Sequence, residues 1–319
     1  MNRRAGERSR VVHIEPQPPG SDFWPPADTV LACVEAGTPV ASAALWLGGG
    51  LEWEGERAGF VGSYRCEEGR EDAAALLLTA CARAAADAGL RWLLGPVDGS
   101  TWDRYRWIVE RGEEPPFPGE PWHPDAWRAQ FERAGFRACA AYRSTLCTDL
   151  AQRDPRLDRV RARLGALGIA IRPLDPSRFE EELAGIHALS RISFRDNLLY
   201  QDIPLEPFLD RYRPWRSKLD PALVRIARRE GKVVGFVFGY PASPAPGTAV
   251  LKTLAVDPER RLAGLGAVLL EEFHAEALRL GCTRVIHALM HESNRSINLS
   301  ERYGHLIRRY ALYALALPR

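Results

Sequence analysis

The sequence lacks the signals that mark several specialised classes of protein. No C-x-x-C pair occurs, which argues against a zinc site or a disulfide framework, and we predict no bound metal. The cysteines are scattered singly, as buried small apolar residues of a reducing cytosol would be: Cys33, Cys66, Cys81, Cys139, Cys147 and Cys282. No segment approaches the ~18 uncharged apolar residues of a membrane span, because Leu76 to Leu90 is interrupted by Arg83 and Asp87.

The sequence also lacks an excess of charge of either sign. The 43 basic and 41 acidic residues are interspersed and leave a formal net charge of +2, so no broad electrostatic surface for a nucleic-acid backbone is expected. The arginines between Arg3 and Arg10 have no apolar run behind them, which predicts a frayed terminus rather than a signal peptide or an anchor. We therefore expect a soluble cytoplasmic protein that binds neither nucleic acid nor membrane.

The composition that remains is that of a folded, enzyme-like chain. Hydrophobic residues make up 46% and charged residues 26%, close to ordinary globular usage. A length of 319 residues favours two domains, since domains commonly hold about 100 to 200 residues each.

The second half has hydrophobic patterns that predict the order β-β-β-α-β-α-β. Its long helix starts at the glycine turn around Gly264 and ends at Gly281, a favourable C-terminal cap. The predicted strands and the second helix are Ala222–Ala227, Val233–Tyr240, Ala249–Val256, Arg284–Met290, Arg295–Tyr303 (helix) and Leu306–Leu317.

The first half repeats this order, so the chain contains two copies of one unit. Gly37 corresponds to Gly231 in the hairpin turn, and Gly89 corresponds to Gly281 after the long helix. Asp154 to Leu164 is predicted to be a connecting helix. We place the domain boundary near Leu150, which predicts a first domain of residues 1–150 and a second of residues 151–319.

The copies differ at the turn that precedes the long helix. In the second copy this turn is Arg261-Leu262-Ala263-Gly264-Leu265-Gly266, whose glycines let backbone N–H groups approach an anion at the positive end of a helix. The corresponding segment of the first copy, Glu67 to Asp72, carries four acidic residues. Carboxylates repel a pyrophosphate, so only the second copy is predicted to bind a phosphorylated cofactor.

Other phosphate motifs fit this turn less well. A dinucleotide fold would need a third glycine near Leu269, and no Walker A lysine is present. A glycine turn that merely begins a helix is the plain alternative to a phosphate site.

Four features of the second half occur in the same order as in a known family: the strand ending in Val256-Asp257-Pro258, the R-x-x-G-x-G turn, Asn294 and Tyr303-Gly304. On these features the chain resembles, from Ala222 to Leu317, the GNAT superfamily of acetyl-CoA-dependent N-acetyltransferases. The first half resembles a degenerate GNAT domain at the level of the fold. The resemblance implies an α/β (α+β) protein of two tandem GNAT-like domains, each a mixed, mainly antiparallel sheet flanked by helices.

The resemblance also implies a cofactor site. The backbone of Leu254 and Val256 would hold the pantetheine arm of acetyl-CoA or another acyl-CoA, and the amides of Leu262 to Ala267 would bind its pyrophosphate. Arg261 would add positive charge, and Asn294 approximately matches an asparagine that helps to hold the cofactor.

The implied reaction is direct attack of a neutral amine on the thioester in a ternary complex. Family members often carry a tyrosine four residues before the glycine that Gly304 matches, where it protonates the thiolate. That position is Ser300 here, and Tyr303 is a nearby alternative. His287 is the candidate base, together with His291 on the same strand face and Glu292; each histidine could instead be structural, and a water chain could replace the base.

Two polar and aromatic segments are candidates for acceptor binding: Asp98 to Trp127 in the first half and Phe194 to Tyr212 in the second. The plain alternatives are interface packing for the former and an inert surface for the latter. The predicted function is an acyl-CoA-dependent N-acyltransferase acting on a small-molecule or peptide amine. A non-catalytic acyl-CoA sensor and a purely structural module are the alternatives, and a homodimer is left open.

Overall fold

The computed structural model describes residues 12–17, 25–242, 245–293 and 296–318. It shows an α/β protein in which mainly antiparallel strands are flanked by helices, as the sequence predicts. The strands are β1 (Val12–Gln17), β2 (Thr29–Glu35), β3 (Thr38–Trp46), β4 (Glu52–Trp53), β5 (Glu56–Cys66), β6 (Trp92–Gly95), β7 (Trp107–Glu110), β8 (Arg137–Cys147), β9 (Ala170–Pro173), β10 (Val224–Arg229), β11 (Lys232–Pro241), β12 (Thr248–Val256), β13 (Arg284–His291) and β14 (Gly304–Ala316).

Four of the described helices match predicted ones, whereas the three at residues 125–133, 179–193 and 205–212 were not located by the sequence patterns. The helices are α1 (Glu71–Asp87), α2 (Asp125–Arg133), α3 (Leu157–Ala166), α4 (Phe179–Ser193), α5 (Leu205–Tyr212), α6 (Leu265–Arg279) and α7 (Ser296–Tyr303). Within the described ranges no helix has the length and apolar character needed to cross a membrane. The same residues contain no cluster of His, Cys, Asp or Glu that could hold a metal ion.

The chain forms two compact units that are discontinuous in sequence. The first unit comprises residues 1–109, 121–140 and 311–319, and the second comprises residues 110–120 and 141–310. Each unit therefore contains a short segment from the other half of the chain. A single cut near Leu150 does not reproduce these units, and as the boundary between the two sequence copies it stays a prediction.

In the first unit the strand order is β1-β2-β3-β5-β6, and the C-terminal part of β14 pairs with β6. Helix α1 covers this sheet through small apolar side chains that include Ala73, Ala74, Leu77 and Cys81. The burial of Cys81 raises the pKa of its thiol to about 12, in keeping with the structural role expected of the cysteines. The predicted frayed terminus, from Arg3 to Arg10, lies outside the described residues.

In the second unit the strand order is β8-β13-β12-β11-β10-β9. Helix α6 packs on β10, β11 and β12, and helix α3 packs on α6. The core between them is built from α6 side chains at helical spacing, including Leu265, Leu269 and Phe273.

The internal repeat is confirmed by the geometry of matching turns. Ala36 and Gly37 have φ of 49° and 81°, and Glu230 and Gly231 have φ of 50° and 78°, so both hairpins use a turn with two left-handed residues. After the long helices, Gly89 and Gly281 also have positive φ, 74° and 81°. The chain thus contains two copies of one fold.

Candidate active site

The candidate site begins where two parallel strands of the second unit separate. Strands β12 and β13 pair only from Thr248 with Arg284 to Leu251 with His287, although both continue beyond this point. Past Leu251, no strand in the described part of the chain pairs with this edge of β12. Apart from the carbonyl of Val256, the backbone N–H and C=O groups on this edge are available to an extended ligand that carries amides.

A β-bulge lies on each strand where the separation starts. In β12 the pairing with β11 skips Lys252, and in β13 the pairing with β8 gains one residue near Leu289, whose φ is 59°. Bulges bend strands and increase their twist, which accounts for the divergence.

The bulge at Leu289 makes one prediction wrong. His287 lies opposite Thr145 of β8, whereas His291 lies opposite Tyr142, three positions along β8 instead of four. Opposed residues point to the same sheet face and successive residues alternate, so the extra residue turns His291 to the face opposite His287. The ring of His291 packs edge-on against Tyr142, at 4.8 Å between centroids.

The space between the separating strands is a cleft of about 130 Å³. Residues of both strands line it together with one side chain each from the end of α4, from α6 and from α7: Leu251, Lys252, Thr253, Leu254, His287, Ala288, Leu289, Met290, Phe194, Leu270 and Ser300. Three predicted site residues, Leu254, His287 and Ser300, therefore meet in one cleft. Phe194 from the predicted acceptor region joins them.

Val256 lies on the same strand but outside the cleft lining. Its carbonyl oxygen accepts a hydrogen bond from Ser193 Oγ at 3.0 Å. The sequence analysis did not identify Ser193, because nothing in its surroundings indicates that the end of α4 reaches β12. Asn294, the other predicted residue beyond the loop, lies outside the described residues.

The glycine turn adopts the conformation that its sequence predicts. Gly264 has φ of 86° and is the N-cap of α6, a left-handed conformation that glycine adopts without strain. A Cβ atom at this position would also lie 2.8 Å from Val160 Cγ1 of α3. Because glycine has no side chain, no side-chain group caps the start of α6.

The predicted pyrophosphate cradle is narrower than the sequence suggests. The amide of Leu262 donates to Glu259 O at 2.9 Å, and the amide of Ala263 donates to Arg260 O at 3.1 Å, within the turn itself. The first α-helical bond joins Val268 N to Gly264 O. The amides from Gly264 to Ala267 form no hydrogen bond with other described groups, so these four can bind an anion at the helix dipole.

Arg163 of α3 braces this turn, a contact that the sequence analysis missed. Its guanidinium donates to Arg261 O at 2.5 Å and also to Ala263 O. The carbonyls of the turn are thereby engaged with α3. The side chain of Arg261 pairs with Glu259, whereas the exposed Arg260 forms no ion pair with the described residues.

A buried histidine pair lies behind the cleft. His287 Nε2 and His274 Nε2 of α6 are 2.9 Å apart, and the rings are stacked. Both side chains are almost fully buried, and neither Nδ1 atom has a partner among the described residues. Burial lowers the pKa of His287 to about 3 and that of His274 to about 4. Both imidazoles are therefore neutral near pH 7.

Tyr303 does not line the cleft. Its ring packs edge-on against His274, and its hydroxyl lies 3.5 Å from Glu271 Oε1 in the core between α6 and α7. Burial, followed by the Glu271 charge, raises the pKa of this phenol. The assignment of Tyr303 as general acid finds no support in this geometry, whereas Ser300, one helical turn earlier, lies in the cleft.

The matching strand edge is closed in the first copy. Residues after β6 stay bonded to β5, since Val97 N donates to Val61 O at 2.9 Å and Ser63 N donates to Asp98 Oδ1 at 2.5 Å. A Cβ atom on Gly62 would lie 2.1 Å from Val97 O. This backbone occupies the place where the second copy has its cleft.

The start of α1 is filled by side chains as well. The guanidinium of Arg70 bonds to Asp72 at 3.2 Å and to Glu35 at 3.0 Å. The Arg70 hydrogen bond and the backbone amide of Ala73 lower the pKa of Asp72, which keeps it ionised. The first copy thus presents carboxylates where the second presents free amides.

Part of the aromatic insertion belongs to the second unit. Glu120 is buried with Arg308, whose Nη1 lies 2.8 and 2.9 Å from the two carboxylate oxygens, and Tyr310 donates to the same carboxylate. Arg308 Nε also donates to Arg111 O at 2.6 Å. Residues 110–120 are therefore fastened to β14 rather than forming a free lobe.

Comparisons with known proteins agree with this geometry. Residues 186–305 match the model of the acetyltransferase (GNAT) family. No curated protein sequence matches the chain.

Three solved structures share the fold. One is a GCN5-related glucosamine N-acetyltransferase region of a fungal multi-domain GH3 β-N-acetylglucosaminidase, at 15% identity and a TM-score of 0.54, covering 90% of this chain but 33% of that one. The second is a GCN5-related N-acetyltransferase from Sphaerobacter thermophilus, at 16% identity and a TM-score of 0.51. The match covers 91% of this chain and 81% of that one. The third is a tandem GNAT protein from the clavulanic acid biosynthesis pathway, at 13% identity and a TM-score of 0.50. The match covers 91% of this chain and 83% of that one.

At these identities the likeness concerns the fold alone, and this chain spans a third of the fungal protein. The family match covers the separating strands, the glycine turn and the cleft. The second copy therefore matches the GNAT family of acetyltransferases over residues 186–305, and the chain as a whole shares its fold with tandem and single GNAT structures.

Proposed function

We propose that the chain is an acyl-CoA-dependent N-acyltransferase whose second copy carries the activity. The observation that supports this most directly is the unpaired edge of β12, which runs from the cleft at Leu254 towards the free amides at Gly264 to Ala267. An extended ligand with amides along its length and a diphosphate at one end matches this order of groups. The thioester would then lie beside Leu254, His287 and Ser300.

The residues present suit a reaction that depends on positioning. A bound acyl-CoA supplies a thioester, and an amine that enters the cleft in its neutral form attacks the carbonyl carbon directly. Ser300 is the hydroxyl available to donate a hydrogen bond to the departing sulfur. Thiols have a pKa of about 8.5, so a thiolate needs little help from an acid.

His287 has a different role from the one first assigned. A conjugate acid with a pKa of about 3 holds a proton poorly, so this imidazole is a weak base. We assign it to shaping the cleft wall, with His274 fixing its orientation through the 2.9 Å contact. The amine's proton would leave through water.

Two measurements test the proposal on the full chain. Acetyl-CoA should raise the melting temperature, because it stabilises the folded state by RT ln(1 + [L]/Kd), a free energy that keeps rising with the logarithm of the ligand concentration above Kd. A panel of primary amines should then yield at least one that releases free thiol from acetyl-CoA. Binding without thiol release for any amine would favour the sensor, and an unchanged melting temperature would exclude both.

A further inference from the structure

The first unit contains a cavity that is larger than the cleft of the second unit. It measures about 520 Å³, within the ~300 to 1,000 Å³ of small-molecule sites. Strands β3 and β5 line one side, and residues 96–107 and 121–127 line the rest. Since the first copy has lost the acyl-CoA edge, this space calls for a different ligand.

Rigid aromatic rings form much of the lining. Tyr64 and Trp127 meet edge to face with centroids 5.7 Å apart, and Trp107 lies 6.1 Å from Trp127. Trp127 is held by its own hydrogen bond to Cys66 O at 3.0 Å. Trp122 also lines the cavity and is 46% exposed. Such walls favour a flat apolar body.

Two acceptor side chains of the lining, His123 and Asp98, already have hydrogen-bond donors. His123 Nε2 accepts from Ile108 N at 2.7 Å, so Nδ1 carries the proton and donates to Pro124 O at 2.9 Å. The buried carboxylate of Asp98 accepts from Ser63 N at 2.5 Å and lies 3.6 Å from Arg104 Nε. Neither side chain needs a ligand.

Two donors of the lining have no partner among the described residues. Arg65 is exposed and forms no hydrogen bond or ion pair with the described residues, and among the same residues the buried Trp107 Nε1–H has no acceptor. The charged groups of the lining are three arginines and two aspartates: Arg65, Arg104, Arg106, Asp98 and Asp103. The arginines exceed the aspartates by one, so a ligand with acceptor oxygens and a negative charge complements this lining.

We propose that this cavity binds a small molecule with a flat apolar body and a carboxylate. The aromatic walls hold the body, and the guanidinium of Arg65 holds the carboxylate. The site is independent of the proposed acyl transfer.

Three matched probes test this by calorimetry on the full chain: naphthalene-2-carboxylate, naphthalene-2-carboxamide and naphthalen-2-ylmethylammonium. The carboxylate should bind saturably, about tenfold more tightly than the amide, with the ammonium weakest. Arg65→Gln should weaken carboxylate binding by about 5- to 10-fold and leave the amide unchanged. Arg83→Gln, an exposed arginine on α1 outside the cavity, should change neither, and Trp122→Ala should weaken both.

Equal binding of carboxylate and amide would refute the proposal, as would identical behaviour of the Arg65→Gln and Arg83→Gln proteins. Displacement of the carboxylate by acetyl-CoA would place the probe in the acyl-CoA cleft and refute it too. Retention of acetyl-CoA binding by Arg65→Gln keeps this test separate from that of the transferase.

Discussion

Replacing Gly266 with glutamate should stabilise helix α6 and weaken anion binding at its start. Gly266 is the second residue of α6. Glycine in a helix costs about 0.5 kcal/mol more than glutamate, and a carboxylate in the first turn adds about 0.3 to 1 kcal/mol through the helix dipole. Without ligand, Gly266→Glu should therefore be about 1 kcal/mol more stable than the parent protein.

The same carboxylate should oppose a diphosphate at the free amides of this turn. Two unit charges about 5 Å apart repel by roughly 1.7 kcal/mol at an effective dielectric constant of ~40. Two phosphate charges double this to about 3 kcal/mol, which corresponds to a loss of affinity greater than about 100-fold. Stability and acetyl-CoA binding should thus change in opposite directions.

The assay is thermal unfolding with and without acetyl-CoA, supported by calorimetric titration. Gly266→Gln is the matched control, since it has the same length and a similar helix propensity but no charge, and it should lose less than about tenfold in affinity. If the glutamate protein keeps the parent's acetyl-CoA shift, or if both variants lose binding equally, an anion does not bind at this helix start.

Three further predictions concern other contacts. Arg163→Met should weaken acetyl-CoA binding by about tenfold through release of the turn's carbonyls, measured by calorimetry. His274 and His287 have pKa values below the ~6.5 of the unfolded chain, so the unfolded state takes up more protons as pH falls; stability should drop by about 3 kcal/mol between pH 7.5 and 5.5, measured by urea unfolding. Arg308→Met should destabilise the protein by about 3 to 5 kcal/mol in the same assay, because the buried Glu120 carboxylate loses its ion-pair partner.

Each of these has an internal control. Arg159 is an exposed arginine on α3, and Arg159→Met should leave acetyl-CoA affinity unchanged. A loss of affinity equal to that of Arg163→Met would contradict the role of Arg163 in holding the glycine turn. His274→Asn combined with His287→Asn should flatten the dependence of the unfolding free energy on pH. An unaltered dependence would mean that other groups cause it. Arg309→Met removes a partly exposed arginine and should lower the unfolding free energy by less than about 1 kcal/mol. A loss similar to that of Arg308→Met would contradict a special contribution of the buried Arg308–Glu120 pair to stability.

Features governed by local chemistry were predictable from the sequence. The repeat, the hairpin glycines and the turn at Gly264 depend on residues that are near each other in the chain, and only glycine adopts the required φ without strain. The carboxylates of the first copy's turn could be recognised for the same reason. These features sufficed to predict the fold.

The remaining parts of the site depend on contacts between residues distant in sequence. Alternation placed His287 and His291 on one face, but the bulge at Leu289 arises from pairing with β8 and separates them. The histidine that meets His287 lies on α6, and the arginine that holds the glycine turn comes from α3. Strand and helix periodicity identify which face of an element is buried, whereas tertiary packing alone decides which side chains meet there.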